Sequence, residues 1–515
     1  MIPFMRIHNW SYAERMFQQP RVVAVLVFGA GLLIYIPTLA PGLLWGGGDF
    51  ATFQTRLYTG EIIFESVFGH PLWVVVSRPF AWLPFGDIAY RANLAAAIYA
   101  SGALAFTYLS AQLLTCSMPA ALLATGALAV SHTFWTYAVM PKVYSLNALL
   151  LTVVIYLLLR WRRSQQSIYL YLSCFLYGLS LFNHLVMATA IAGCAAYVIM
   201  VTFYEHRIPL RSRHLIISAA LLIINLLSYT ALSLSRTQST HTGEVIVAFL
   251  LGFVHVLTRP ATLLSALGIG IALLIYQFPL TCLAGIVGLK HVWHNERLEA
   301  ILLSLIVLGD IAFLLGAADP RTGGEYVWNL HYYLQVYVVF ALWIALGMAA
   351  RWEWLWNAPI RRIGLIFGTV VLPVIMYAVT PVLARTFIAT IPGFRALPGR
   401  DNLSYVLSPW KHTETGPREF INSILLVLPP NSVIYADYSI KSMLDYVQIV
   451  EHTRLDVRVY LIPDGDASYQ VSEILSHRDE PNLFIADLNR YYPVEALQEH
   501  FDIIPYGPIY RLMPR

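Results

Sequence analysis

Apolar residues fall along the chain in blocks too long for the elements of a soluble core. A helix needs about 20 predominantly apolar residues to cross a bilayer. Blocks of that kind lie near 22–39, 88–113, 119–137, 143–160, 167–183, 185–204, 214–233, 262–289, 299–317, 331–350 and 363–384, which predicts roughly eleven membrane spans. The segment from Pro71 to Trp82 is apolar but short, and Arg78, Pro79 and Pro84 interrupt it. It is expected to re-enter the membrane or lie in its interface. The first block runs on to Pro37 and Pro41 with no small-residue cleavage site, so it reads as a retained span.

From about Thr386 the pattern changes. Charges rise and the long apolar runs stop. "NSVIYADY", "VRVYLIP" and "NLFIADL" read as buried strands, and "IKSMLDYVQIVE", "YQVSEILSHR" and "PVEALQEHF" read as helices. Strands alternating with helices predict a small α/β layer domain. The expected division is 1–385 for the membrane domain, with a first external loop at 41–87, and 386–515 for the tail.

Composition agrees with the spans. The chain is 58% hydrophobic and 12% charged, about half the charged share of a soluble domain. Arg6, Arg15, Arg21, Arg160, Arg162, Arg163, Arg207, Arg211, Arg213, Lys290, Arg297, Arg351, Arg361 and Arg362 fall on one set of connections. The other set holds Arg56, Arg78, Lys142, Arg236, Arg259, Arg321 and Arg385. The richer set is placed in the cytoplasm by the positive-inside rule. The N-terminus is then inside and the tail outside. No basic tract interleaved with aromatics points to nucleic acid. Cys116, Cys174, Cys194 and Cys282 show no metal-ligand spacing, and they read as small hydrophobes with Cys116 at a helix edge.

Unusual polar residues gather on the external side. Asp49 follows three glycines in "LLWGGGDFATFQ"; Lys142 is in "VMPKVYSLN"; Asn183 and His184 are in "LFNHL". Arg236 and His241 are in "SLSRTQSTHTGE", and Asp319, Arg321, Glu325 and His331 are in "ADPRTGGEYVWNLHYYL". Ionisable groups near hydrocarbon usually mark a site. Each also has a plainer role. Asp49 fits an N-cap for the helix after it. Lys142 fits a snorkelling interfacial lysine. His184 fits a hydrogen-bonded core histidine, and Arg321 a surface pair with Asp319 or Glu325. Trp328, Tyr332 and Tyr333 fit an interfacial aromatic belt.

If a lipid-phosphate sugar donor lies in the membrane and a hydroxyl acceptor lies outside, transfer needs a base, and Asp49 is placed for it. The leaving phosphate needs cations, for which Lys142, Arg236 and Arg321 are the candidates. The glycines allow the backbone close to a ligand. No metal or other cofactor is required by this scheme. No HExxH, P-loop, GxSxG or CxxC pattern competes.

These stretches resemble a known family, the domain-of-unknown-function 2723 proteins, which include the transmembrane protein 260-like protein O-mannosyltransferases. The family's "GDTAEFQ" is similar to "GDFATFQ", Gly48 to Gln54. Its "HPxGYPLY" and "LPxGDxAYRxNL" are similar to "GHPLW", Gly69 to Trp73, and "LPFGDIAYRANL", Leu83 to Leu94. Its "FWxxAVxxEVYTLNALxLxLxLxLLLRW" is similar to Phe134 to Trp161, and its "GLSLxNH" to Gly178 to His184. Tyr332 to Gly347 and the tail from Leu428 are similar as well. Thr52 and Lys142 stand where the family has acids, and the "HPxGYP" element is shortened to His70 and Pro71.

The resemblance implies a polytopic α-helical membrane protein of GT-C-like fold with a small C-terminal α/β extracytoplasmic domain. It implies a polyprenyl-phosphate sugar donor, inversion at the sugar, and an essential acid in the first external loop, here Asp49. The acceptor is a protein Ser/Thr, glycan or lipid hydroxyl. His70, Tyr144, Asn183, His184, Glu325 and His331 are then candidates to bind substrate. A prokaryotic inner membrane is the expected location. The alternatives are a transporter or flippase for a lipid-linked sugar, which wants polar residues such as Asn225 and Asp310 through the membrane, and a non-catalytic scaffold, in which Asp49 is dispensable.

Overall fold

The chain is described from a computed structural model over residues 19–45, 49–63, 69–204, 212–234, 254, 258–317, 330–389, 391, 394–462 and 466–515, with Asp49 described in its backbone only. The membrane part contains α1 (Pro20–Tyr35), α2 (Asp49–Thr59), α3 (Pro71–Ser77), α4 (Ile88–Thr115), α5 (Met118–Ala129), α6 (His132–Ala138), α7 (Tyr144–Ser164), α8 (Ser167–Ser180), α9 (Ile191–Tyr204) and α10 (Ser212–Leu234). It continues with α11 (Pro260–Gln277), α12 (Cys282–Asn295), α13 (Arg297–Ala317), α14 (Leu334–Ala350), α15 (Pro359–Ile366) and α16 (Leu372–Ala384). Among the described residues seven helical segments are long and apolar enough to cross a membrane, and three shorter helices are apolar. Every expected span therefore has a helical counterpart. Pro71 to Trp82 is a short helix followed by a 3₁₀ turn, Arg78–Trp82, too short to cross.

Two expected spans are broken. The 262–289 block bends by 109° between α11 and α12. Pro279 lies in that bend and cannot continue a helix. The 119–137 block breaks at Val130 and Ser131, between α5 and α6, with no proline or glycine to announce it. Backbone groups freed in a membrane need partners. Here the His132 N–H donates to the Tyr377 hydroxyl (3.1 Å), and the Thr133 N–H to Gln277 Oε1 (2.8 Å).

Close helix contacts use small residues. A Cβ added at Gly288 of α12 would lie 1.7 Å from the Trp343 carbonyl oxygen, and one at Gly347 of α14 would lie 1.9 Å from that of Ala284. Backbone atoms cannot step aside as side chains do. Gly288→Ala is therefore expected to force α12 and α14 apart, costing about 2 kcal/mol or more. The measurement is the monodisperse fraction of detergent-extracted protein after graded heating. Cys194 and Cys282 are buried as expected and Cys174 is half-buried, whereas Cys116 is exposed at the end of α4.

After α16 the chain runs back over the membrane part as a strap that includes α17 (Asn402–Leu407). The tail core follows: α18 (Gly416–Val427), β1 (Val433–Ala436), α19 (Tyr438–Glu451), β2 (Arg458–Leu461), α20 (Ala467–Leu475), β3 (Leu483–Ile485), β4 (Phe501–Tyr506) and β5 (Ile509–Pro514). The sheet order is β2-β1-β3-β5-β4, with β1 parallel to β2 and β3, and β5 antiparallel to β3 and β4. The three expected strands form. The expected helix "PVEALQEHF" shrinks to Val494–Leu497, and Phe501 starts a strand instead. A two-residue turn at Gly507 and Pro508 then closes a hairpin, with Gly507 at φ +61° as a primed turn requires.

Candidate active site

The first external loop is tied down by the residues of its own motifs. Gln54 on α2 is fully buried; its Nε2 donates to the Gly42 carbonyl (3.1 Å) and to Asn93 Oδ1 (3.3 Å). Asn93 on α4 donates in turn to the carbonyls of Ala40 (2.8 Å) and Gly42 (3.1 Å). Arg56 is buried, with Nε on the Glu61 carbonyl (3.1 Å) and its guanidinium on the Gly69 carbonyl. Asp87 caps α4 by accepting from the Tyr90 N–H (2.7 Å), and Arg91 folds back on the carbonyls of Ala81, Phe85 and Gly86. These polar residues satisfy loop backbone that the interface would otherwise leave unpaired. They hold α2 in place.

Asp49 is the first residue of α2, so the helix starts at the acid rather than after it. The next turns carry Phe50 and Phe53. Lys142 Nζ lies over both rings, 5.2 Å and 6.0 Å from their centroids. Phe53 also packs against His70, with 5.6 Å between ring centroids. His70 takes a left-handed backbone, φ +46°, uncommon for a residue with a Cβ. Its Nδ1 donates to the Asn183 carbonyl (2.7 Å).

From His70 the rings continue as a wall. His70 stacks on His184 (5.1 Å, 16°), and Tyr144 stacks on His331 (4.2 Å, 23°). Tyr144 joins the pairs at 5.4 Å from His184. Tyr332 packs on Tyr144, His184 and His331, and the Tyr137 hydroxyl shares a hydrogen bond with His331 Nδ1 (3.2 Å). Six predicted site residues thus form one connected cluster, His70, Lys142, Tyr144, Asn183, His184 and His331, of which His70 and Lys142 touch α2 through Phe53 and Phe50. Asn183 takes part through its backbone; its side chain is fully buried and donates to the Val143 carbonyl (3.1 Å), which fixes the turn after Lys142. Arg236, Arg321 and Glu325, with His241 and Asp319, lie outside the described residues. Phe50, Phe53 and Tyr137 were missed as site residues. Phe50 and Phe53 had a signal, since both sit inside "GDFATFQ".

A turn behind the wall is pinned from inside the membrane. His184 Nδ1 accepts from the Val186 N–H (3.0 Å) and caps the 3₁₀ turn Leu185–Ala190. Buried Asp310 accepts from Thr189 (2.5 Å) and Gln335 (3.1 Å), and Gln335 also donates to the Val186 carbonyl (3.1 Å). The Asn225 side chain donates to the Leu221 carbonyl of its own helix. Both mid-span polar residues are therefore engaged in structural bonds.

Burial, and then the charges of His70 and Lys142, hold His184 well below its ordinary pKa of 6.5. In the unfolded chain the imidazole gains a proton as pH drops through about 6.5, whereas in the folded protein it stays neutral. Its contribution to stability is complete above that pH and declines below it, by up to about 1.4 kcal/mol per pH unit. His184→Gln is expected to flatten the loss of thermal stability between pH 6.5 and pH 5. Unfolding of purified protein in detergent at the two pH values checks it.

The strap braces the other side of the loop. Trp45 Nε1 donates to the Pro398 carbonyl (3.1 Å), and the Tyr405 hydroxyl donates to the Trp45 carbonyl. The Lys411 N–H donates to the Thr38 carbonyl (3.0 Å). The tail core then packs on the loop: Trp45 meets Phe420 (5.5 Å between rings), and the Tyr446 hydroxyl accepts from the Ala89 N–H (3.0 Å). The start of α19 meets the start of α2 through the Tyr438 and Thr52 hydroxyls (3.3 Å). Among the described residues, no group of three or more His, Cys, Asp or Glu side chains is placed to hold a metal ion.

The bundle of broken and unbroken spans with its α/β tail is a GT-C-like polytopic α-helical membrane fold. Among solved structures, ArnT from Cupriavidus metallidurans in the apo state superposes with a TM-score of 0.59 at 13% identity, over 95% of this chain and 97% of that one. The same protein bound to undecaprenyl phosphate gives 0.55 at 12% identity, over the same shares. Residues 67–207 match the family model for the Protein O-mannosyl-transferase TMEM260 N-terminal domain. Protein O-mannosyl-transferase TMEM260 from Mus musculus is 27% identical over 165 residues, which are 31% of this chain and 23% of that protein. The chain thus matches under a quarter of that relative's length, and the resemblance read from the motifs is borne out over this stretch.

Proposed function

We propose that the protein is a membrane glycosyltransferase that moves a sugar from a polyprenyl-phosphate donor to an extracytoplasmic hydroxyl on a protein, glycan or lipid. The observation that carries this reading is a connected cluster of six polar and aromatic site residues that reaches the helix begun by Asp49 through Lys142 on Phe50 and His70 on Phe53. The likeness to a protein O-mannosyl-transferase and the undecaprenyl phosphate bound to ArnT support it.

In this reading the Asp49 carboxylate takes the proton of the acceptor hydroxyl. The acceptor oxygen bonds to the anomeric carbon from the face opposite the phosphate, and the bond from that carbon to the phosphate oxygen breaks. The polyprenyl phosphate leaves with the electron pair, and the anomeric configuration inverts. Lys142 holds the leaving phosphate, together with Arg236 and Arg321. His70, His184, Tyr144 and His331 line the sugar's place, with Glu325, and Asn183 sets the turn that presents Lys142. The protein sits in a prokaryotic cytoplasmic membrane with its N-terminus inside and its tail outside.

Membranes containing the protein are given radiolabelled polyprenyl-phosphate mannose, then a panel of other sugars on the same carrier, with a native extract as acceptor. Label transferred above membranes lacking the protein is the expected result. No transfer from any donor would shift the reading to a lipid-linked sugar transporter or a scaffold.

A further inference from the structure

On the face opposite the candidate site, a crevice of about 270 Å³ opens between α12, α14 and α15. The length of α14 sets the two apart. His331 and Tyr332 precede this helix and Arg351 directly follows it. Its 17 residues rise about 26 Å, close to the thickness of a bilayer's hydrocarbon core. Leu283 and Val287 of α12 and Gly364 of α15 stand on the crevice walls. A Cβ added at Gly368 would lie 2.6 Å from Leu280 Cδ1, so these two residues close its inner end. Apart from Thr281 and Arg351, the lining is apolar or aromatic.

The mouth is basic. After Arg351 comes the short helix Trp352–Trp356, whose Trp352 and Trp356 rings stack (4.8 Å, 20°). Tryptophans gather at the level of the lipid headgroups. Trp354 lines the crevice and carries the Arg361 guanidinium on its ring face (4.6 Å), and Arg351 lines the crevice itself. Among the described residues neither arginine is ion-paired, although Glu353 lies between them in the chain. Arg162 on α7, by contrast, pairs with Glu296 and Glu299. We propose that the crevice binds an anionic phospholipid, with its phosphate on Arg351 and Arg361 and an acyl chain between α12 and α15. Guanidinium groups hold phosphate through paired, charge-assisted bonds, and basic pockets between spans suit anionic headgroups. A free phosphate would leave the apolar walls uncovered. A choline or ethanolamine head would bring its own cation against the arginines. The crevice lies in the leaflet away from Lys142, so the proposed sugar donor is not its occupant. In the orientation proposed above this is the cytoplasmic leaflet, whose surface is anionic.

The test uses the full chain in detergent, titrated with phosphatidylglycerol, while native mass spectrometry counts the lipids bound. Phosphatidylcholine and inorganic phosphate are the comparison probes. The first phosphatidylglycerol should bind about tenfold more tightly than phosphatidylcholine. Arg351→Gln and Arg361→Gln should each raise the half-saturating concentration about fivefold, the loss of one cation at the headgroup level. Arg163→Gln, exposed at the end of α7 beside the Arg162 pair, should leave it unchanged. Gly364→Leu tests the crevice itself. A Cβ there meets nothing within 4 Å, so the side chain enters open space without displacing protein, and the lipid should bind about tenfold more weakly. Wild-type unfolding temperatures for the lipid-free variants are expected and would tie these losses to binding. Equal affinity for phosphatidylcholine, an equal loss in Arg163→Gln, or wild-type affinity in Gly364→Leu would overturn the site. Displacement of the lipid by inorganic phosphate alone would also overturn it, as a free-anion site. No sugar transfer is read, so the result stands apart from the glycosyltransferase reading.

Discussion

Asp49→Asn is expected to abolish most sugar transfer while leaving donor binding within about twofold. A positioned general base typically contributes about 10²- to 10⁴-fold, so kcat should drop by that amount. Asparagine keeps the size and the hydrogen-bonding reach of aspartate but cannot accept the hydroxyl proton. The substitution therefore separates chemistry from placement. Placement is set elsewhere: Gln54, Asn93 and Arg56 anchor α2 through buried bonds, and Trp45 is held by the strap before the glycines. Folded yield should consequently match the wild type, and single-turnover transfer at saturating donor reads the loss directly. Transfer by Asp49→Asn at the wild-type rate would remove it as the base, whatever the fold.

The same anchoring explains which features were legible in the sequence. The spans were, because crossing a bilayer imposes a length and a composition on each segment by itself. The break between α5 and α6 was not. It depends on Gln277 and Tyr377, more than a hundred residues away, supplying partners to backbone that helix geometry leaves unpaired. The last hairpin was hidden for a local reason. Pro505 argues against a strand, yet it sits on the edge strand β4, where a missing N–H is tolerated. In the site, motif spacing pointed to the polar residues, and their separate positions gave no hint of the stacking of His70 on His184 or of Tyr144 on His331. Rings meet through the tertiary fold. Several motif residues also hold structure rather than substrate, as Gln54, Asp87, Arg91 and Asn93 show, since a rigid loop at the interface needs its backbone satisfied as much as a site needs its base.

Lys142 carries the second large expectation. The family that the motifs resemble has an acid where this chain has Lys142, which makes the cation the position to test. Lying over Phe50 and Phe53, Lys142 approaches the helix that Asp49 begins. A cation on aromatic faces, away from bulk water, attracts a phosphate more strongly than one in solvent. Lys142→Met keeps most of the side-chain volume and removes the charge, and should raise the donor KM about tenfold, the loss of one charge-assisted contact. Lys142→Glu restores the family's acid and adds repulsion, and should raise it about a hundredfold or more. If Lys142 only snorkelled to the interface, both variants would leave donor affinity unchanged, because the ring contacts serve the fold and not the phosphate. Binding of a fluorescent polyprenyl phosphate to the purified protein, measured at two ionic strengths, distinguishes the roles. A phosphate contact predicts that wild-type affinity weakens with salt and that Lys142→Met loses part of this dependence.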